Sequence, residues 1–123
     1  MVLVDTSVWV AHLREGKIGL EIPLNEGCVL IHSFVIGELA CGNVRNRTEI
    51  LSLLQSLPMA VTAEHDEVLQ LIETRKLMGK GLGFIDAHFL ASALLSEVPL
   101  RTLDRRLNEV ASELGKSYLP AFP

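Results

Sequence analysis

Several things are scarce in this chain of 123 residues, and each scarcity closes off a class of protein. It has two cysteines, Cys28 and Cys41, without CxxC spacing. Both lie in apolar stretches and read as buried free thiols of a reducing cytoplasm. There is no basic excess: 11 Lys and Arg face 15 Asp and Glu, for a formal net charge of −4. A polyanion could not be held by the overall field and would have to be gripped locally. No apolar run is long enough to span a bilayer. The amino-terminal apolar stretch is short, lacks a basic leader and already contains Asp5, so no signal peptide is expected. The phosphate-cradling loop GxxxxGK(S/T) is missing, as are GxGxxG and GxSxG; Gly79, Gly81 and Gly83 have the wrong spacing and follow a helical pattern.

What is present fits one globular domain spanning 1–123. Apolar residues make up 49% and charged residues 21%, enough for a core and too apolar for disorder. Val2–Val4 reads as a short buried strand, followed by the capping side chains Asp5, Thr6 and Ser7 and a helix over 8–13. A helical turn is expected at 20–25, a strand at 28–32, and a helix capped by Ser33 that carries Glu38 and ends near Gly42. Helical spacing returns at 48–57 and stops at Pro58. A third strand is expected at 59–62, an amphipathic helix at 64–78, and a nearly all-apolar buried helix at 84–96. A fourth strand at 99–103, a helix at 105–114 and an edge strand at 116–120 complete the pattern. This alternation predicts an α/β domain, a mainly parallel sheet covered by helices on both faces.

Four acids sit where acids are costly. Asp5 ends Val-Leu-Val, Glu38 interrupts Phe34–Gly37 and Leu39–Cys41, Asp86 breaks Leu82–Ile85 before Ala87–Ala91, and Asp104 closes Leu100–Leu103. A carboxylate in an apolar setting is destabilising unless it is hydrogen-bonded, paired or metal-bound. Setting the four aside leaves eleven residues of each sign. Each has a bland explanation: Asp5 and Asp104 as helix caps, Glu38 as a lone exposed residue, Asp86 in an ion pair with Arg101 or Arg75. Together these require four coincidences. In parallel sheets ligands bind at the carboxyl ends of the strands, and all four acids can face that rim. Oxygen-only ligands favour Mg²⁺ or Mn²⁺, ions that commonly act on phosphate esters. His12, His32, His65 and His88 suit core or surface roles better than ligation, and Trp9 suits the core. Arg14, Lys17, Arg105 and Arg106 could meet phosphates, although scattered surface charge is the default reading.

The ordered set Val-Leu-Val-Asp5-Thr6-Ser7, Glu38 in a helix after the second strand, Gly81-Leu82-Gly83-Phe84-Ile85-Asp86-Ala87-His88 and Leu100-Arg101-Thr102-Leu103-Asp104-Arg105-Arg106-Leu107 resembles PIN-domain ribonucleases. More narrowly it resembles the VapC toxins of bacterial type II toxin–antitoxin systems, over essentially the whole chain. The resemblance implies a three-layer α/β/α PIN-like domain that hydrolyses RNA with Mg²⁺ or Mn²⁺ held by Asp5, Glu38, Asp86 and Asp104. It places Thr6, Ser7 and Thr102 along the site. It further implies a homodimer and a cognate antitoxin laid into an apolar groove near the acids, in the cytoplasm and with no membrane. The apolar surplus at 84–96 and 34–41 is read as interface, a fully buried central helix being the alternative. Two rivals are a receiver-like signalling module and a non-catalytic PIN-like binding domain. The first is disfavoured because the first expected strand ends in one acid, not an acidic pair.

Overall fold

The computed structural model describes residues 1–118. Strand β1 (Val2–Val4) lies at the centre of a three-stranded sheet, between β2 (Val29–Leu30) and β3 (Leu100–Arg101), and both pairings are parallel. All three residues of β1 are buried. Successive strand side chains point to opposite faces, so both faces of this sheet are covered. The cover comes from α1 (Thr6–Glu15), α2 (Glu21–Asn25), α3 (Ser33–Cys41), α4 (Arg47–Gln55), α5 (His65–Thr74), α6 (Phe84–Ser96) and α7 (Arg105–Glu113). The layered α/β architecture therefore stands, with shorter strands than the hydropathy pattern implies.

Three departures have clear physical causes. Residues 59–62 form no strand. Ile31 and Met59 share one parallel bridge, after which His32 turns into the cap of α3 and the Val61 amide bonds to Ser96 Oγ at 2.9 Å instead. The strand expected at 99–103 shrinks to two residues because Thr102 and Leu103 are drawn into side-chain bonds described below. Helix α5 ends at Thr74: Lys76 adopts φ +55°, and the Leu77 amide reaches back to the Ile72 carbonyl at 2.9 Å, tucking Leu77 into the core. That is a helix-ending wrap that places an apolar residue after the helix.

Helix α3 is capped by His32, whose Nδ1 accepts the Phe34 amide at 3.0 Å, and not by Ser33, which is the first helical residue and exposed. The cysteines are free, but Cys28 is only half-buried and Cys41 is exposed, which corrects the buried reading. Cys41 falls in the last turn of α3, where Leu39 takes the inward position. Helix α6 is buried from Ala87 through Ala93, so most of its apolar run serves the core and does not form a surface surplus. Trp9 is in the core. Ser117 bridges Leu100 in parallel, while residues 119–120 of the expected edge strand lie outside the described residues. No helix among the described residues is long and apolar enough to cross a membrane.

Candidate active site

The carboxyl ends of β1 and β3 turn directly into helices α1 and α7, and an aspartate caps each. Asp5 accepts the Val8 amide on Oδ1 at 3.3 Å, and Asp104 accepts the Leu107 amide on Oδ1 at 3.1 Å. The capping explanation is thus literally true of both. It does not account for everything around Asp5, which is 4% exposed. The Ser7 hydroxyl donates to its Oδ1 at 2.6 Å, and the Thr102 hydroxyl donates to its Oδ2. Each hydroxyl in turn accepts a backbone amide: Ser7 Oγ from Leu103 at 2.9 Å, Thr102 Oγ1 from Asp104 at 3.0 Å. An ionised carboxylate only accepts, so both hydroxyl protons are committed to Asp5 and their lone pairs are free for those amides. The two turns are stitched together through one buried carboxylate. The β3 extension that would have put Thr102 and Asp104 on one side of a strand does not exist; a side-chain bond joins them instead.

The other two acids arrive from helices. Asp86 is the third residue of α6, and its Oδ2 accepts the Gly83 amide at 3.0 Å, closing the helix start. Glu38 is the sixth residue of α3, well inside the helix. It reaches the rim because the Thr6 hydroxyl donates to its Oε1 at 2.6 Å, a contact between residues 32 apart in sequence. Asp86 is half-buried, whereas Glu38 and Asp104 are exposed. The rim therefore grades from a dry end at Asp5 to a wet end.

Electrostatics ties the four together. Burial pushes the Asp5 carboxyl up, against the pull of Ser7, Thr102 and the Val8 amide, and repulsion from Asp86 adds to the rise. Burial also pushes Asp86 up, opposed by the Gly83 amide and reinforced by repulsion from Asp104 and Glu38. Asp86 thus feels each of the other three. No cation answers this charge: the ion pairs among the described residues are Lys80–Glu113 and Arg105–Glu109. Arg101 is directed to the Ile18 carbonyl and to the Tyr118 ring, 5.5 Å from its centroid, which removes the Arg101–Asp86 pair. Arg75 makes no ion pair with Asp86 either.

The donor set suits a hard divalent cation. It consists of carboxylate oxygens alone, and Asp86, Asp104 and Glu38 each place one oxygen in a hydrogen bond and leave the other without one. Among the described residues no three ligating groups converge closely enough to hold one ion as they stand. Each side chain here is turned toward its own cap or hydroxyl partner.

Beside the rim lies a groove of about 510 Å³. It is lined by the apolar Val10, Leu13, Leu39, Val44 and Ile50, by Thr6 and Glu38 from the rim, and by the polar Arg14, Asn43, Arg45 and Asn46. The sequence offered no sign of Asn43 and Asn46 in this role. Asn46 precedes α4 with φ 53° and makes no cap bond, a conformation that only the fold reveals. Lys17, Arg105 and the four histidines are not among the residues lining the groove. His32 and His88 are buried among aromatic rings, in keeping with a core role.

Comparisons with known proteins bear on this arrangement. The PIN domain family model matches residues 2–113. The chain is 43% identical over 116 residues to Ribonuclease VapC32 of Mycobacterium tuberculosis, covering 94% of each protein. In three dimensions it resembles the crystal structure of FitAcB from Neisseria gonorrhoeae, with a TM-score of 0.64 at 19% identity, over 91% of this chain and 94% of that one. It also resembles PAE2754 from Pyrobaculum aerophilum, with a TM-score of 0.56 at 21% identity, over 93% of this chain and 88% of that one. At those identities the two structures speak for the fold alone.

Proposed function

The chain belongs to the PIN-domain family, and from that premise we propose that it is a metal-dependent endoribonuclease, the toxin of a two-gene toxin–antitoxin module. The relative named as a ribonuclease supports the reaction. The observation that carries it in this molecule is the set of four acids at one rim, repelling one another and forming no ion pair with a basic side chain among the described residues. Asp5, Asp86, Asp104 and Glu38 would hold Mg²⁺ or Mn²⁺. When bound, the ion would neutralise the phosphodiester, activate a water and stabilise the leaving oxygen.

The side chains divide the remaining work. Asp5 is the fixed member, because both its oxygens are orientated by Ser7, Thr102 and the Val8 amide. Asp86 adds a half-buried carboxylate aimed by the start of α6. Glu38, exposed and steadied by Thr6, has an oxygen free to orientate the attacking water. The test is a labelled RNA incubated with Mn²⁺ or Mg²⁺ and, in parallel, with chelator. Cleavage is expected only with the ion, and cleavage in chelator would remove the metal from the reaction. Calorimetric Mn²⁺ binding is expected to weaken sharply in Asp5→Asn; equal binding would take Asp5 out of the site.

The partner follows from the groove. Its apolar walls and mixed margin suit a helix or extended segment of a small antitoxin, reaching the acids at Thr6 and Glu38. A basic side chain delivered there would neutralise the carboxylates and compete with the ion. Exposed Phe84, Ile85 and Leu95 on α6 supply apolar surface for a homodimer. We place the pair in the cytoplasm, where its RNA substrate is. Co-expression with the protein of the adjacent upstream gene should relieve growth arrest and co-purify; failure of both ends the toxin–antitoxin reading even if ribonuclease activity survives.

A further inference from the structure

We propose that Arg106 is the residue that grips the RNA backbone at the lip of the acidic rim, binding a phosphodiester next to the one being cut. The inference rests on the ribonuclease reading and singles out one cation among several. Arg106 is the second residue of α7, whose first turn holds two arginines and no acid. A cation there opposes the helix dipole, so helix stability does not explain it. Its neighbour Arg105 is paired with Glu109, Nε to Oε1 at 3.2 Å. Arg106 has no carboxylate partner among the described residues.

It is nevertheless held in place. A Cβ built on Gly81 would lie 2.8 Å from Arg106 Cδ, 2.9 Å from Nη1 and 3.3 Å from Cζ. The stem and Nη1 of Arg106 therefore occupy the space that a side chain on Gly81 would take, and Gly81 itself adopts φ +79°. Only glycine leaves that bed open. The same loop is pinned to the far end of α7 by Lys80–Glu113 at 3.0 Å. Two residues beyond Gly81, Gly83 supplies the amide that orientates Asp86; two residues before Arg106, Asp104 caps α7. The guanidinium is thus seated between the segments that carry two of the four acids, yet paired with neither.

A guanidinium with free donors matches the planar, doubly accepting edge of a phosphate. The need for one is electrostatic. The chain carries a formal charge of −4 and its site is a cluster of acids, so RNA is not drawn in by the general field. A fixed cation at the lip provides the local grip.

The experiment measures binding of a labelled single-stranded RNA by anisotropy across a salt series. It uses the Asp86→Asn background, which keeps the RNA intact, and is paired with steady-state cleavage in Mn²⁺ without that substitution. Arg106→Ala should weaken binding roughly tenfold for all sequences alike and flatten the salt dependence by about 0.7, the value of one single-strand phosphate contact. In cleavage the loss should fall on KM rather than kcat. Gly81→Ala, which crowds the space the side chain occupies, should weaken binding in the same direction, and adding Arg106→Ala to it should do little more. Unchanged binding and salt slope in Arg106→Ala, with wild-type cleavage intact, would overturn the proposal. Arg106-dependent binding without any cleavage by the wild type would sink the ribonuclease reading and reduce Arg106 to an RNA contact away from any scission; absence of both would sink the two together.

Discussion

Two parts of this molecule bury titratable groups, and they treat them differently. One is the acidic rim. The other is a stack of alternating rings: His65–Phe84, Phe84–His88, Phe34–His88, His32–Phe34 and His32–Phe89, with centroids 4.7 to 5.2 Å apart. Helix α6 contributes to both, Asp86 to the rim and His88 to the stack. In each region burial is the largest influence and favours the neutral form, pushing Asp5 and Asp86 up and His32 down to about 4. Repulsion adds to it in both, among carboxylates in one and between His32 and His88 in the other. The difference lies in the hydrogen bonds. Around Asp5 two hydroxyls and an amide point at the carboxylate and oppose its neutralisation. In the stack, His32 Nε2 and His88 Nδ1 are buried with no hydrogen-bond partner among the described residues, as is Ser92 Oγ one turn along α6 from His88. The rim is arranged to keep charge in a dry place, and the stack to exclude it. Only the first gathers carboxylate oxygens, the donors the proposed metal would need.

The contrast can be tested hardest at Asp86. Replacing it by Asn should reduce RNA cleavage by at least about a hundredfold, the scale of losing a metal-site group. In chelator the fold should hold or gain stability, because repulsion among the acids is relieved. A clear fall in melting temperature without metal would mean that Asp86 serves structure and not the site.

The next largest effect is on stability against pH, where the two regions should act with opposite signs. His32 is depressed in the folded state, so its contribution is complete above about 6.5 and lost as pH falls toward 4, about 3 kcal/mol in all. His88, also lowered, acts in the same direction. Asp5 and Asp86 are raised, so they take up protons in the folded chain first and add stability as pH falls through their folded values toward 3.8. Thermal melts in chelator should show a decline from pH 6.5 to 4 that flattens in His32→Gln. An unchanged slope in that variant would shift the acid loss to other groups.

Smaller effects separate hydroxyls of the two regions. Thr102→Val keeps the shape but deprives Asp5 of a donor and the Asp104 amide of an acceptor, costing about 1–3 kcal/mol in denaturant unfolding and lowering cleavage. Ser92→Ala removes a buried hydroxyl with no partner and should be neutral or stabilising by under about 1 kcal/mol. Equal losses at the two positions would erase the distinction drawn between rim and stack.

The sequence by itself determined a good deal. Helix α6 runs over the predicted residues, Phe84–Ser96, because an apolar run after glycine has few alternatives to a buried helix. The central strand and the four acids interrupting apolar runs were legible because hydrophobic burial is nearly additive along a chain and a misplaced charge stands out. What only the tertiary structure decided involves pairs. Whether residues 59–62 pair as a strand depended on where the Val61 amide found Ser96. The exposure of Cys41 depended on which side of α3 met the core. Glu38 meets Thr6, and Thr102 meets Asp5, across 32 and 97 positions, and Arg106 finds its seat on Gly81. Hydrogen bonds and close packing are short-ranged and directional, so such partners exist only once the chain has brought them within reach.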